Sequence, residues 1–289
     1  MSLIHVGLIG LGAMGSGIAQ CLSQANIVLK VYDKNKRQLE LNSQSPNVNE
    51  ALPEEIIADC DVILFCVPSS KQINELLEKY TPKFGSTIID LTSSDPRVTA
   101  ERAEILLKTR KVYQLDAAMS GGAKGAAAGK LTLMVGGDSK ILQMHTQILS
   151  SFSERIFHIG DAGKGQLMKL FHNAVCHGNF LLLSEICIKG EQHGLDLRQM
   201  IEVFNCSNAR SFISERRFPD HILSGTFDGK STPYNLKKDL GLLNELLESD
   251  GEETFLSHSL RLLNKLDPAT EDEDFMLIYP QLKELLDRQ

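Results

Sequence analysis

The chain has 289 residues, 42% of them hydrophobic and 23% charged, a composition that excludes a disordered, collagen-like or disulfide-stapled polypeptide. Lys and Arg number 30 against 37 Asp and Glu, so the formal charge is −7. That balance excludes general nucleic-acid binding, which relies on clustered cations meeting phosphates. A chain this long accommodates one large domain or two ordinary ones and builds its core without cross-links.

The first part of the chain alternates short apolar runs with amphipathic ones. Ile4–Ile9, Ile27–Tyr32, Val62–Val67, Thr87–Leu91, Lys111–Ala117 and Leu131–Val135 read as buried strands. Ile73–Leu77 and Val98–Leu107 read as helices between them. Such alternation predicts a largely parallel, doubly wound sheet. The rhythm stops near Ile159. From Gly165 to Gly190 an apolar stripe that widens around Phe180–Leu183 predicts one long helix, and Arg198–Phe204, Leu236–Glu248, Thr254–Leu266 and Asp274–Leu286 follow as further helices. The expected fold class is α/β: a Rossmann-type dinucleotide-binding domain over residues 1–162, then an all-α domain for substrate and dimerisation over residues 163–289, joined by the long helix. Glu271–Asp274, the densest charge run, reads as a solvated helix start.

The six cysteines form no CxxC pair and no zinc-type spacing with histidine. Cys66 in VILFCV and Cys187 in LSEICI read as small buried hydrophobes in a reducing compartment. The opening MSLIHVGLIGLG has no cationic stretch ahead of its apolar run, so no secretory signal is expected. No apolar stretch approaches the ~20 residues of a membrane span. The expectation is a soluble cytoplasmic protein with neither a membrane nor a nucleic-acid partner.

Gly10-Leu11-Gly12-Ala13-Met14-Gly15 follows the first strand and opens a helix. The first glycine permits a tight turn, the second lets backbone approach a pyrophosphate, and the third lets helix and strand pack closely. The helix N-terminus then faces the anion with unpaired N–H groups. Asp33 ends the next strand, about 20 residues on, where an acid meets the adenosine ribose. Packing glycines with Asp33 as a helix cap is the alternative. A carboxylate at 33 favours NAD, because it accepts ribose hydroxyls and repels a 2′-phosphate; Lys34, Lys36 and Arg37 keep NADP open.

Further along, the chain resembles the β-hydroxyacid dehydrogenases over nearly its whole length. GLIGLGAMGSGIA at Gly7–Ala19 is similar to that family's cofactor loop, and Val67-Pro68 to its segment after the fourth strand. IIDLTSSDP at Ile88–Pro96 resembles the Asp-x-Ser-Thr segment, which puts Ser93 beside the nicotinamide. DAAMSGGAKGAAAGKLTLMVGG at Asp116–Gly137 resembles the substrate loop. GKGQLMKLFHN at Gly163–Asn173 matches Gly-x-Gly-x-x-x-Lys-x-x-x-Asn, so the resemblance implies that Lys169 is the catalytic lysine. LKKDLGL at Leu236–Leu242 resembles a late Lys-Asp-Leu segment that brings Lys238 to the cofactor. The substrate loop departs from the family pattern: Ala118 and Met119 replace Pro and Val, leaving a less preorganised loop, while Ser120-Gly121-Gly122 survives.

Read alone, Lys169 is one more solvated helix lysine like Lys189, and Lys238 a surface cation beside Lys237; the resemblance assigns them roles. Lys169 and Asn173, four apart on a helix, share a face. An ammonium there protonates the alkoxide formed when hydride reaches a carbonyl, and the neutral amine takes the hydroxyl proton in reverse. Asn173 orients lysine and substrate. Side-chain-free backbone at Ser120-Gly121-Gly122 suits a substrate carboxylate, with Ser120 adding a hydroxyl, while Gly125–Gly129 reads as a loose turn. The eight histidines show no HExxH pattern, and no metal is expected.

The expected activity is hydride transfer between NAD and a small β-hydroxy acid or its semialdehyde, as in 3-hydroxyisobutyrate dehydrogenases. The alternative is an NADPH-dependent reductase of tartronate, glyoxylic or succinic semialdehyde. Imine reductases commonly have another residue at the lysine position, so Lys169 argues against them. The wide stripe on the long helix, together with the resemblance, implies a homodimer or homotetramer.

Overall fold

The computed structural model describes residues 4–45, 47–247 and 253–287. The chain divides into two compact units, Met1–Lys169 and Leu170–Gln289.

Among the described residues of the first unit, eight strands form one sheet. They are β1 (Val6–Ile9), β2 (Leu29–Tyr32), β3 (Val48–Glu50), β4 (Val62–Phe65), β5 (Thr87–Asp90), β6 (Tyr113–Ser120), β7 (Leu131–Gly136) and β8 (Ser153–Gly160). Their spatial order is β3-β2-β1-β4-β5-β6-β7-β8. Every neighbouring pair is parallel except β6 with β7, which run antiparallel with Ser120 opposite Thr132. The intervening helices are α1 (Ala13–Gln24), α2 (Lys36–Asn42), α3 (Pro53–Asp59), α4 (Ser70–Lys79), α5 (Pro96–Arg110), α6 (Gly122–Ala127) and α7 (Ser139–Ser150).

The central strands are apolar at successive positions because both sheet faces are covered. Their period of two splits the core cleanly. Val6, Leu8, Val62, Leu64 and Ile89 pack on one face with Ile18 and Leu22 of α1, Ala126 of α6 and Ile148 of α7. Ile9, Ile63, Phe65 and Ile88 point to the other, against Ile56 and Ile57 of α3, Ile73 of α4 and Leu106 of α5.

The unit boundary falls inside the long helix α8 (Lys164–Gln192). The second unit continues with α9 (Leu197–Asn205), a π-helical stretch at Ile213–Ile222 that contains Pro219, then α10 (Pro233–Leu246), α11 (Phe255–Leu263) and α12 (Ile278–Asp287). Its core gathers Phe180, Ile188, Met200, Phe218, Leu240, Phe275, Tyr279 and Leu282. Phe180 meets Phe275 edge-on at 5.3 Å, and Phe218 meets Tyr279 at 5.5 Å.

Three elements differ from the sequence reading. β3 is only three residues long, too short for a pattern. β8 forms where the rhythm was read as stopping; as the edge strand it is mostly exposed and carries charges. Gly125 lies within α6 and not in a loose turn.

Candidate active site

The β1–α1 connection lies where the strand order reverses, with β1 between β2 and β4. Open α/β sheets bind ligands at such a point. Gly10 has φ +101°, and a Cβ there would overlap the Cys66 carbonyl oxygen. A Cβ on Gly15 would overlap the Gly10 carbonyl oxygen. The fold itself demands those two glycines. Gly12 differs, since a Cβ there meets nothing within 4 Å. Nothing in the packing requires glycine at 12, which leaves open space beside the loop. The N-terminus of α1 has no side-chain cap and no acid in its first turn, while Asp95 and Asp138 cap α5 and α7. Uncapped N–H groups and an open approach fit a dinucleotide pyrophosphate. Ala13 is exposed. The Leu11 side chain is fully buried, and Met14 is half-buried against the core.

Asp33 follows β2. Its Oδ2 accepts the Leu11 N–H at 2.6 Å and its Oδ1 accepts the Asn35 N–H at 2.7 Å. The carboxylate therefore fixes the glycine loop, and capping of α2 falls to Asn35, which accepts the Arg37 N–H at 3.1 Å. Each oxygen retains a second lone pair for a ribose hydroxyl. Lys34, Lys36 and Arg37 are exposed around it. Nearby, the Val67 N–H donates to Thr92 Oγ1 at 3.4 Å, joining the loops after β4 and β5. Thr92 is buried; Pro68 and Ser93 are exposed. Of the Thr92-Ser93 pair, the first is structural and the second faces outward.

Ser120, half-buried, ends β6. Gly121 (φ +130°) and Gly122 (φ +63°) follow, both exposed and both in backbone conformations that favour glycine. The helix they open packs directly on α1, where a Cβ on Gly17 would stand 2.6 Å from the Ala127 nitrogen. The helix that follows the Gly10–Gly15 loop and the helix opened by Gly121-Gly122 are thus in contact.

The lysine helix is anchored to the same sheet. Asp116 Oδ1 accepts the Gly163 N–H at 2.7 Å, and Oδ2 accepts the Gln166 N–H at 2.8 Å. Burial pushes the Asp116 carboxyl up to about 6, against the pull of those two backbone bonds. Gly163 has φ +90°, and a Cβ on Gly165 would overlap the Met134 carbonyl oxygen. Both glycines of the GKG segment therefore serve the close docking of α8. Gln166 Nε2 donates to Asp90 Oδ2 at 3.2 Å and to the Thr92 carbonyl at 3.3 Å, and its Oε1 accepts from Thr99 Oγ1 at 2.6 Å. Asp90 is itself paired with Arg102 at 2.6 Å, both buried. Lys169, half-buried, lies one turn beyond Gln166.

In the second unit, Asn173 Nδ2 donates to Asp239 Oδ2 at 2.7 Å, and both residues are buried. Lys238 Nζ lies 3.5 Å from the other Asp239 oxygen. Lys237 turns away to Glu271 at 2.6 Å. Sequence reasoning singled out Asn173 and Lys238 and missed Asp239, which joins them. Its signal was an acid inside the apolar LKKDLGL run. Asp116 and Gln166 were quoted within motifs, but their anchoring of α8 was not foreseen.

Residues 5–160 match the model of the NAD binding domain of 6-phosphogluconate dehydrogenase, and residues 163–279 that of the NAD-binding domain of NADP-dependent 3-hydroxyisobutyrate dehydrogenase. A probable mitochondrial 3-hydroxyisobutyrate dehydrogenase of Dictyostelium discoideum is 31% identical over 95% of this chain and 89% of that one. The chain belongs to the β-hydroxyacid dehydrogenase family. As such it is an NAD(P)-dependent hydroxyacid dehydrogenase. The 2-(hydroxymethyl)glutarate dehydrogenase of Eubacterium barkeri is 30% identical over 84% of this chain and 82% of that one. The structure of Mycobacterium tuberculosis 3-hydroxyisobutyrate dehydrogenase with L-serine superposes with a TM-score of 0.86 at 24% identity, covering 97% of this chain and 99% of that one. At that identity the superposition speaks for the fold: a Rossmann unit followed by a helical one. Among the described residues, no helix of this hydroxyacid dehydrogenase is long and apolar enough to cross a membrane.

Proposed function

We propose that the protein transfers a hydride between NAD and a small β-hydroxy acid or its semialdehyde, with Lys169 as the proton-transfer residue. The observation that carries this reading is the anchoring of α8. Asp116 and Gln166 tie its first turn to the middle of β6 and the end of β5, which supports a defined position for Lys169 one turn beyond that anchor.

In oxidation, the carbinol C–H bond breaks and its electron pair leaves with the hydride. A nicotinamide, when held by the Gly10–Gly15 loop, would supply the hydride acceptor. The neutral Lys169 amine takes the hydroxyl proton as the C=O bond forms, and in reduction the ammonium returns it. Ser120 and the Gly121-Gly122 backbone hold the substrate carboxylate. Asn173, oriented by Asp239, aligns the substrate oxygen. Gly10, Leu11, Gly12, Ala13, Met14 and Gly15 supply the pyrophosphate loop. Val67, Pro68 and Ser93 line the cofactor's path, and Lys238 contacts the cofactor. The Eubacterium barkeri relative's 2-(hydroxymethyl)glutarate and the Pseudomonas aeruginosa relative's L-serine both carry a hydroxyl β to a carboxylate, which supports the substrate class.

Asp33 supports NAD. The exposed Lys34, Lys36 and Arg37 support the second reading, an NADPH-dependent semialdehyde reductase. Phe171, Val175, Leu182 and Ile186 recur along α8 as exposed apolar side chains, which supports a homodimer or homotetramer built on that helix. Six free cysteines accord with a reducing compartment, here taken as the cytoplasm.

The test is a steady-state panel of β-hydroxy acids, and of alcohols lacking the carboxylate, with NAD and with NADP. Saturable turnover of the acids alone, faster with NAD, is the expected result, and Asp33→Ala should narrow the NAD preference. Equal efficiency for acid and alcohol would remove the carboxylate site, and a parent preference for NADP would overturn the Asp33 assignment.

A further inference from the structure

The two peptide planes that flank Leu11 are each held by a side chain. Asp33 Oδ2 accepts the Leu11 N–H at 2.6 Å and so fixes the plane before it. Ser16 Oγ donates to the Leu11 carbonyl oxygen at 2.6 Å and fixes the plane after it. Ser16 belongs to α1, so the helix reaches back to the loop that opens it. Asn42, the last residue of α2, donates through Nδ2 to Ser16 Oγ at 3.1 Å and to the Gln38 carbonyl at 2.8 Å. Its amide thus directs the Ser16 hydroxyl proton to Leu11, because an oxygen that receives a donor turns its own O–H elsewhere. Ser16 and Asn42 are both half-buried.

The second of these planes is the one that needs holding. It ends at Gly12, where a Cβ would meet nothing within 4 Å, so no side chain there resists its rotation. A carbonyl oxygen carries partial negative charge, and this peptide turned over would present that charge to an anion. A trans peptide sets its C=O and N–H on opposite sides. With the oxygen held at Ser16, the Gly12 N–H faces the other way, at the uncapped start of α1.

We propose that Ser16 and Asn42 are positioning residues for the cofactor. Acting in series, they hold the Leu11–Gly12 peptide with its oxygen turned back and its N–H toward the pyrophosphate. The proposal rests on the reading that Gly10–Gly15 holds that pyrophosphate. It adds that the loop is set before the cofactor arrives, so binding does not have to order it.

The experiment is calorimetric titration with NAD, NADP and ADP-ribose, which all carry the same pyrophosphate, and it needs no turnover. Ser16→Ala should lower affinity by about 3–10-fold, the scale of one neutral hydrogen bond, and by the same factor for each of the three that the parent binds. Asn42→Ala should lose less, about 2–5-fold, because the Ser16 hydroxyl remains. The Ser16→Ala, Asn42→Ala double variant should lose no more than Ser16→Ala alone, since both act through one contact. Ser16→Thr, which keeps the hydroxyl, should bind within about twofold of the parent. In the cofactor-free Ser16→Ala protein, amide exchange should quicken over Gly10–Gly15 while the melting temperature stays near parental. Gly12→Ala, titrated alongside, separates two failures. Parental affinity in Gly12→Ala would remove the pyrophosphate from the loop, and this inference with it. Weakened binding in Gly12→Ala beside parental binding in Ser16→Ala would strike this inference alone. Additive losses in the double variant, or a loss confined to one of the ligands the parent binds, would also overturn it.

Discussion

The Asn173 amide donates to the Asp239 carboxylate at 2.7 Å, and both groups are buried. The bond orients an amide four residues beyond Lys169, so it sets which end of Asn173 is offered to a substrate. Asp239→Ala leaves the amide without its acceptor. It should destabilise the protein by about 1.5–3 kcal/mol, the scale for a hydrogen bond to a charged group, and lower kcat by about tenfold or more. Asp239→Asn, which keeps the shape, should retain more of both. Urea unfolding and steady-state rates check this; an Asp239→Ala protein as stable and active as the parent would contradict it.

Two glycines of one loop should fail in different ways. Gly15→Ala forces a methyl onto the Gly10 carbonyl oxygen, so it should destabilise the protein or prevent folding. Gly12→Ala meets nothing within 4 Å, so the protein should fold with a near-parental melting temperature. Its NAD affinity should fall by about tenfold or more, because the methyl occupies the approach of the pyrophosphate. Melting curves and cofactor titration separate the two. Unchanged NAD affinity in Gly12→Ala would show that nothing approaches there.

The cap on α8 makes a pH-dependent contribution whose sign follows from burial. Asp116 has its carboxyl raised from 3.8 to about 6. The native state therefore holds a proton there that the unfolded chain has released. The resulting stabilisation is complete below the unfolded value and is lost as pH rises through about 6. In Asp116→Asn that titration is gone, so the stability of the parent relative to the variant should be greater at about pH 4.5 than at about pH 7.5. Thermal melts of both proteins at the two pH values test it, and a constant difference would refute the shift.

Much of the fold was legible because local pattern and tertiary demand agree. Runs such as VILF at Val62–Phe65 are apolar throughout because the sheet is covered on both faces, and the glycine loop carries its spacing on the surface of the sequence. The misses have physical reasons. β8 is an edge strand with exposed, charged positions, and the π-helical stretch contains Pro219, so neither shows a buried period. In the site, residue types were legible but partners were not. Asp116 and Gln166 act on groups 50 positions apart, and Asn173 and Asp239 are 66 apart; such pairings exist only once the fold has formed. The same holds for Thr92 and Ser93, adjacent in sequence, of which the structure buries one and exposes the other.

The central claim is proton transfer by Lys169, and stopped-flow measurement of the hydride step in Lys169→Ala tests it most directly. The variant should fold with near-parental stability, because Lys169 is half-buried and the anchors of α8 are Asp116, Gly163 and Gln166. NAD affinity should hold, because Gly10–Gly15 and Asp33 are untouched. The hydride step should slow by roughly 10²–10⁴-fold, the range for general acid–base catalysis. Lys169→Arg should not restore it, since a guanidinium scarcely gives up its proton. A folded Lys169→Ala protein that transfers hydride at the parental rate, on a substrate the parent turns over well, would contradict the account.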